Sequence, residues 1–104
     1  HHRVLGTSAQ AVQADAKRAV EVALAAAPAW RSMDFDSRAA ILLRAADLLA
    51  GRWRARINSA TMLGQAKTAY QAEIDSACEM ADFWRFNVHF ARQILADQPI
   101  ANGR

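Results

Sequence analysis

Residues 68–96 read TAYQAEIDSACEMADFWRFNVHFARQILA, a run with neither proline nor glycine. It predicts one helix from Thr68 to about Ala96, roughly 43 Å long at 1.5 Å per residue. A compact chain of this size has a diameter of roughly 35 Å, so the helix is expected to overhang its own domain. Its acids Glu73, Asp75, Glu79 and Asp82 come first and its bases Arg85 and Arg92 last, the order the helix dipole prefers. Tyr70, Ala77, Met80, Ala81, Trp84, Val88, Ala91 and Leu95 form one apolar arc, while Phe83, Phe86 and Phe90 form a second stripe. Two apolar faces need two packing partners. Three shorter helices upstream can cover only one of them, so the pattern implies protein beyond this chain.

Upstream, Gly64 is expected to stop a third helix from Arg52 to Leu63 that turns Trp53, Ile57 and Ala60 inward. Gly51 suits the end of a second helix, capped by Asp34 or Asp36 and running through Leu49, with Ile41, Leu42, Ala45, Leu48 and Leu49 inward. The first helix is expected from an N-cap at Ser8 to about Ala27, where Pro28 ends or bends it. Its inner face is Val12, Ala16, Ala19, Val20, Ala23, Leu24 and Ala27, with Lys17 and Glu21 paired on the other side. In the lead His1 to Thr7, Val4 and Leu5 can form a brief strand. The expected class of these residues is therefore mainly α, about four helices with the last one long.

The chain has 104 residues, enough for one domain at most. Hydrophobic residues make up 53%, but many are alanines, which remove little apolar surface when buried. A single cysteine, Cys78, excludes an internal disulfide and fits a reducing, cytoplasmic setting. No leader is visible in the segment, and the longest near-apolar run, Val22 to Trp30, is far short of a membrane span. A formal charge of +3 and a pI near 9.8 keep nucleic acid under consideration, centred on Arg52, Arg54 and Arg56 around Trp53. Such a cluster more often marks a solvated helix face.

Glu73 stands in line with Ala77, Met80 and Trp84, where an ionised carboxylate is costly unless paired or facing water. Two readings are open: a solvated acid favoured by the helix start, or a carboxylate at the edge of a substrate cleft. Cys78 lies eleven residues before His89, the nearest histidine in sequence, and a straight helix holds these about 16 Å apart. With no base in reach, Cys78 reads as a small packing residue. Gly64, Lys67 and Thr68 lack the glycine spacing of a phosphate loop. His1 and His2 alone are not a metal site. Asp82 and Arg85, three apart, are expected to pair at the surface.

The order of pieces, Ala29-Trp30-Arg31, Arg38, the run Ile41 to Leu49, then a glycine and a lysine before a long helix, resembles the start of aldehyde dehydrogenases. The sharper match runs from Met62-Leu63-Gly64-Gln65-Ala66-Lys67 through Gln71-Ala72-Glu73-Ile74-Asp75 to Asp82-Phe83-Trp84-Arg85-Phe86-Asn87. It resembles the pyrroline-carboxylate dehydrogenase branch of that family, and the likeness covers about His2 to Ile100. The resemblance implies that residues 1–104 are an N-terminal helical segment of an α/β NAD-binding domain, in an enzyme about five times longer. That enzyme would oxidise L-glutamate gamma-semialdehyde to glutamate with NAD in proline catabolism, and would form a homo-oligomer. Its nucleophilic cysteine, general-base glutamate and NAD-contacting residues would all follow Arg104, so this segment alone is expected to be inactive. The glutamate matching Glu73 would line the substrate entrance. The alternatives are a helical module dimerising through Phe83, Phe86 and Phe90, the basic nucleic-acid binder, and the aldehyde-dehydrogenase half of a bifunctional proline-oxidising enzyme, which this segment resembles less well.

Overall fold

A computed structural model describes residues 3–100 of the chain. His1 and His2 lie outside the described residues. The secondary structure is helical throughout, with no strand among the described residues. The helices are α1 (Gln13–Ser32), α2 (Phe35–Ala50), α3 (Arg54–Gln65), α4 (Ala69–Ala72), a π-helical turn (Glu73–Cys78) and α5 (Glu79–Ala96). Two units are distinguished, one ending at Arg38 and the other beginning at Ala39.

In the first unit the expected strand at Val4 and Leu5 is absent, and both side chains are exposed. Helix α1 begins at Gln13 rather than after Ser8, because the Asp15 carboxylate accepts the Val12 N–H at 2.9 Å and fixes the first turn there. Pro28 does not end it. Proline removes one helical donor, but the last turn is held by Met33 N–H on the Ala29 carbonyl at 3.2 Å. The Ser32 hydroxyl also donates to Ala29 O, at 3.0 Å. The expected inner face is uncovered: Val20 is 59% and Leu24 68% exposed, and only Ala27 is half-buried. The expected Lys17–Glu21 pair is replaced by Arg18 and Glu21, 3.8 Å apart. After the helix, the Arg38 guanidinium lies 6.0 Å from the Trp30 ring centre.

Asp34 caps α2, as expected. Its carboxylate accepts the Ser37 N–H at 2.8 Å and the Ser37 hydroxyl at 2.6 Å. These bonds favour the ionised form and hold the Asp34 pKa below its ordinary value, the hydroxyl contributing most.

In the second unit the buried residues are Ala39, Ala46, Leu49, Ala72, Ala77, Ala81 and Val88. Only Leu49 and Val88 among them are larger than alanine. The centre is Ala46, Leu49 and Ala81, flanked by Ala50, Ile57 and Trp84. Helix α2 thus turns its small residues to α5, leaving Ile41 and Leu42 exposed where the sequence placed them inside. Methyl-sized side chains let two helix axes approach more closely than leucines would. Arg85 is drawn across to Asp47 at 3.2 Å, so it does not form the expected pair with Asp82.

Helix α3 starts two residues later than expected. Gly51 to Trp53 form a turn in which Trp53 N–H reaches Leu48 O at 3.0 Å and Arg54 N–H reaches Gly51 O at 3.1 Å. Its inward side also carries half-buried Arg54 and Asn58 beside Trp53 and Ile57, while Ala60 is exposed. Gly64 does not stop it. The helix runs to Gln65, and Ala66 takes the left-handed conformation at φ 54°. That conformation costs an L-residue roughly 1–2 kcal/mol, partly offset by the unfolded-state freedom a glycine would regain. Ala66→Gly is therefore expected to stabilise the chain by about 1 kcal/mol. An unchanged or lower urea midpoint would contradict this.

The run 69–96 is helical without a break, and Thr68 caps it. Thr68 Oγ1 accepts the Gln71 N–H at 3.2 Å, while Gln71 Oε1 accepts the Thr68 N–H at 2.9 Å. Its bounds agree with the expectation, but its interior does not. From Glu73 to Cys78 the turn widens, and Glu79 N–H donates to Ile74 O, five residues back. This brings Ala72 and Ala77, 0% and 1% exposed, to one buried side. Regular α spacing would set them about 140° apart. Of the expected arc, Ala77, Ala81 and Val88 are buried and Trp84 and Ala91 half-buried, whereas Tyr70, Met80 and Leu95 are exposed. Phe83, Phe86 and Phe90 stand 55%, 56% and 50% exposed, the uncovered second stripe that the periodicity predicts.

Candidate functional site

The widened turn, packed against α3, carries a polar cluster. Arg54 and Asn58 are four residues apart on α3 and so point to the same side. Arg54 Nη2 donates to Glu73 Oε1, and Asn58 Nδ2 donates to Glu73 Oε2 at 2.5 Å. Ser76 Oγ lies 3.0 Å from Asn58 Oδ1 and 2.5 Å from Ala72 O, and its single proton serves one at a time. Arg54 Nη2 is also 3.5 Å from Cys78 Sγ, whose thiol faces Glu73 Oε1 at 3.6 Å.

The electrostatics follow from these contacts. Hydrogen bonding from Arg54 is the largest influence on Glu73, followed by that from Asn58. Together they hold its pKa at about 2 instead of the ordinary 4.5, against the opposing cost of partial burial. Glu73 in turn raises the Arg54 pKa, mainly through the same hydrogen bond. Because the folded pKa of Glu73 is depressed, its stabilising contribution is complete above about pH 4.5 and is lost as pH falls toward about 2. The stability difference between this chain and Glu73→Gln, small because the pair is partly exposed, should accordingly be flat above pH 5 and shrink below 4.5, as read from urea midpoints. A difference unchanged down to pH 3 would contradict the pairing.

Glu73 is paired rather than freely solvated. Its side chain is 34% exposed, yet both oxygens have protein donors from a different helix. Cys78 is exposed rather than packed inside. No catalytic couple results. A general base works best with a pKa near the operating pH, and a carboxylate held at about 2 is far too weak to take a thiol proton. His89 sits instead by Gln93, 3.1 Å between Nε2 atoms, with its ring edge-on to Phe90.

The three arginines of the basic cluster do not form one free cationic patch. Arg54 is taken by Glu73, and the Arg52 and Arg56 guanidiniums lie 5.8 Å and 5.2 Å from the Trp53 ring centre. Lys67, read against a phosphate loop, is paired with Asp75. Among the described residues no group of three or more His, Cys, Asp or Glu could hold a metal ion. No helix among them is long and apolar enough to cross a membrane. Beside the polar cluster, an open, mainly apolar groove of about 540 Å³ is lined by Ile74, Cys78, Phe83, Phe86 and Phe90 together with Glu79, Asp82 and Asn87.

Sequence reasoning singled out Glu73 but not Arg54, Asn58 or Ser76. The signal for the first two was their i, i+4 spacing beside Ile57, which puts a donor pair on the buried side of α3.

The aldehyde dehydrogenase family profile matches residues 1–103. The chain belongs to the aldehyde dehydrogenase family. It is 47% identical, over 98% of its length, to a protein of Dictyostelium discoideum named mitochondrial delta-1-pyrroline-5-carboxylate dehydrogenase. Proteins of the same name from Emericella nidulans and Homo sapiens are 43% identical over 95% of the chain and 49% identical over 81%. The chain spans only 18%, 17% and 15% of these three relatives. No solved structure matches this member of the family.

These names correct the cytoplasmic setting expected above, since all three relatives are named as mitochondrial. A lone thiol excludes an internal disulfide and carries no information on the compartment.

Proposed function

We propose that this chain is an N-terminal helical segment of the α/β NAD-binding domain of an enzyme that oxidises L-glutamate gamma-semialdehyde to glutamate, with Glu73 on the wall of its substrate cleft. The observation that carries the reading is the sustained identity, 39–50%, to relatives named delta-1-pyrroline-5-carboxylate dehydrogenase. The small alanine core and the exposed Phe83, Phe86 and Phe90 support a segment whose remaining partners lie elsewhere in a longer protein. That longer protein would bind the aldehyde and assemble as a homo-oligomer.

The substrate carries an α-ammonium group as well as its aldehyde. A carboxylate kept ionised across the physiological range is complementary to it, and a carboxylate has about four lone-pair sites, more than the three contacts that Glu73 accepts from Arg54, Asn58 and the Cys78 thiol. NAD does not fit the described residues. They offer no strand leading through a glycine-rich turn into a helix N-terminus, and we assign NAD binding to residues of the longer protein.

The test is NADH formation from glutamate semialdehyde by the full-length protein and by the 104-residue chain. Activity in the first and none in the second is expected. An inactive full-length protein would overturn the substrate assignment, and NADH formation by the short chain would overturn the placement of the chemistry outside it. The exposed aromatic stripe gives a second reading, a helical module that dimerises, which predicts a well-defined dimer of the short chain in sedimentation.

A further inference from the structure

We propose that Arg54 and Asn58 are positioning residues, which grip the two carboxylate oxygens of Glu73 from one face of α3 and fix its direction for the substrate's ammonium group. The inference rests on the reading of Glu73 as a cleft residue. A glutamate on a free helix surface turns about three side-chain bonds. Here each oxygen has its own donor, and both donors project from one rigid turn of α3.

The support extends one residue further. Ser76 lies 3.0 Å from Asn58 Oδ1, a contact that fits the amide with its NH2 side toward Glu73. Glu73 and Ser76 both belong to the widened turn, which packs against α3, with Ala77 buried inside it and Ala72 buried just before it. Arg54 and Glu73 are 43% and 34% exposed, and an ion pair that wet contributes little to stability. What the arrangement supplies is a fixed carboxylate. Displacing a binding group by about 1 Å can cost a large factor in rate, so preserving its direction matters more than the energy of the pair.

A double-substitution cycle in the full-length enzyme tests this, reading kcat and KM for glutamate semialdehyde and for glutarate semialdehyde, which lacks the amino group. Arg54→Met is expected to raise KM for the amino substrate about tenfold, with little change for the other, and Arg54→Lys to recover part of the loss. With Glu73→Gln already present, Arg54→Met should add less than about twofold, because its effect passes through Glu73. Asn58→Leu should behave the same way and carries the test if Arg54→Met does not fold. A full tenfold effect that persists beside Glu73→Gln, or equal effects on both aldehydes, would overturn the positioning role while leaving Glu73 in the cleft. No effect of Glu73→Gln alone would overturn the cleft reading and the positioning role with it.

Discussion

Ala46→Leu is expected to destabilise the chain by about 1–3 kcal/mol, the cost of overpacking a well-filled core. Ala46 is 0% exposed and meets Ala81, itself 3% exposed, where α2 lies against α5. Leucine adds three heavy atoms where two methyl groups already define the helix separation. The helices must then part, which pulls Ile57 and Trp84 from the same cluster and strains the Arg85–Asp47 bridge. Among the described residues no large side chain is fully buried that could repack to make room. The measurement is the urea midpoint followed by circular dichroism, with Ala40→Leu as an exposed control on the same helix. Equal midpoints for the two variants would show that the α2–α5 contact is not a tight one.

The second large effect concerns function. If Glu73 binds the substrate's ammonium group as proposed, Glu73→Gln in the full-length protein is expected to raise KM for glutamate semialdehyde roughly tenfold to a hundredfold, the range of one charge-assisted hydrogen bond of about 1.5–3 kcal/mol. The substitution keeps the shape and one acceptor oxygen but removes the charge. The ammonium group of the substrate is unchanged as the aldehyde reacts, so the lost interaction is shared by ground and transition states. KM should therefore rise while kcat stays nearly constant. A fall in kcat at constant KM would instead place Glu73 beside the reacting carbon.

Much of the helical frame could be read along the chain because its signals are local. Asp34, one of the two caps considered for α2, does cap it, the long helix starts at Thr68 as expected, and Gly51 follows the end of α2. The uncovered Phe83, Phe86 and Phe90 stripe followed from periodicity alone. Where boundaries differed, a competing local bond decided: Asp15 started α1 late, and a short turn at residues 51–53 delayed α3. On α2 the expectation held for Leu49, which is buried, and for Ala45 and Leu48, which are half-buried, but it placed Ile41 and Leu42 inside by hydrophobicity and passed over Ala46, which packs with Ala81.

The sequence by itself determined that the chain is helical, that a long C-terminal helix has more apolar surface than these residues cover, and that Glu73 is an anomaly within it. Its likeness to one family was also legible in the order of residues from Met62 to Asn87. Only the tertiary structure decided that the long helix widens from Glu73 to Cys78 and that Arg54 and Asn58 meet Glu73 across fifteen to nineteen residues of chain. The physical reason is that a π-turn has no local sequence signal strong enough to outweigh regular α spacing. It persists because seating Ala72 and Ala77 on one side, and satisfying a half-buried carboxylate from another helix, are gains that exist only once the helices pack.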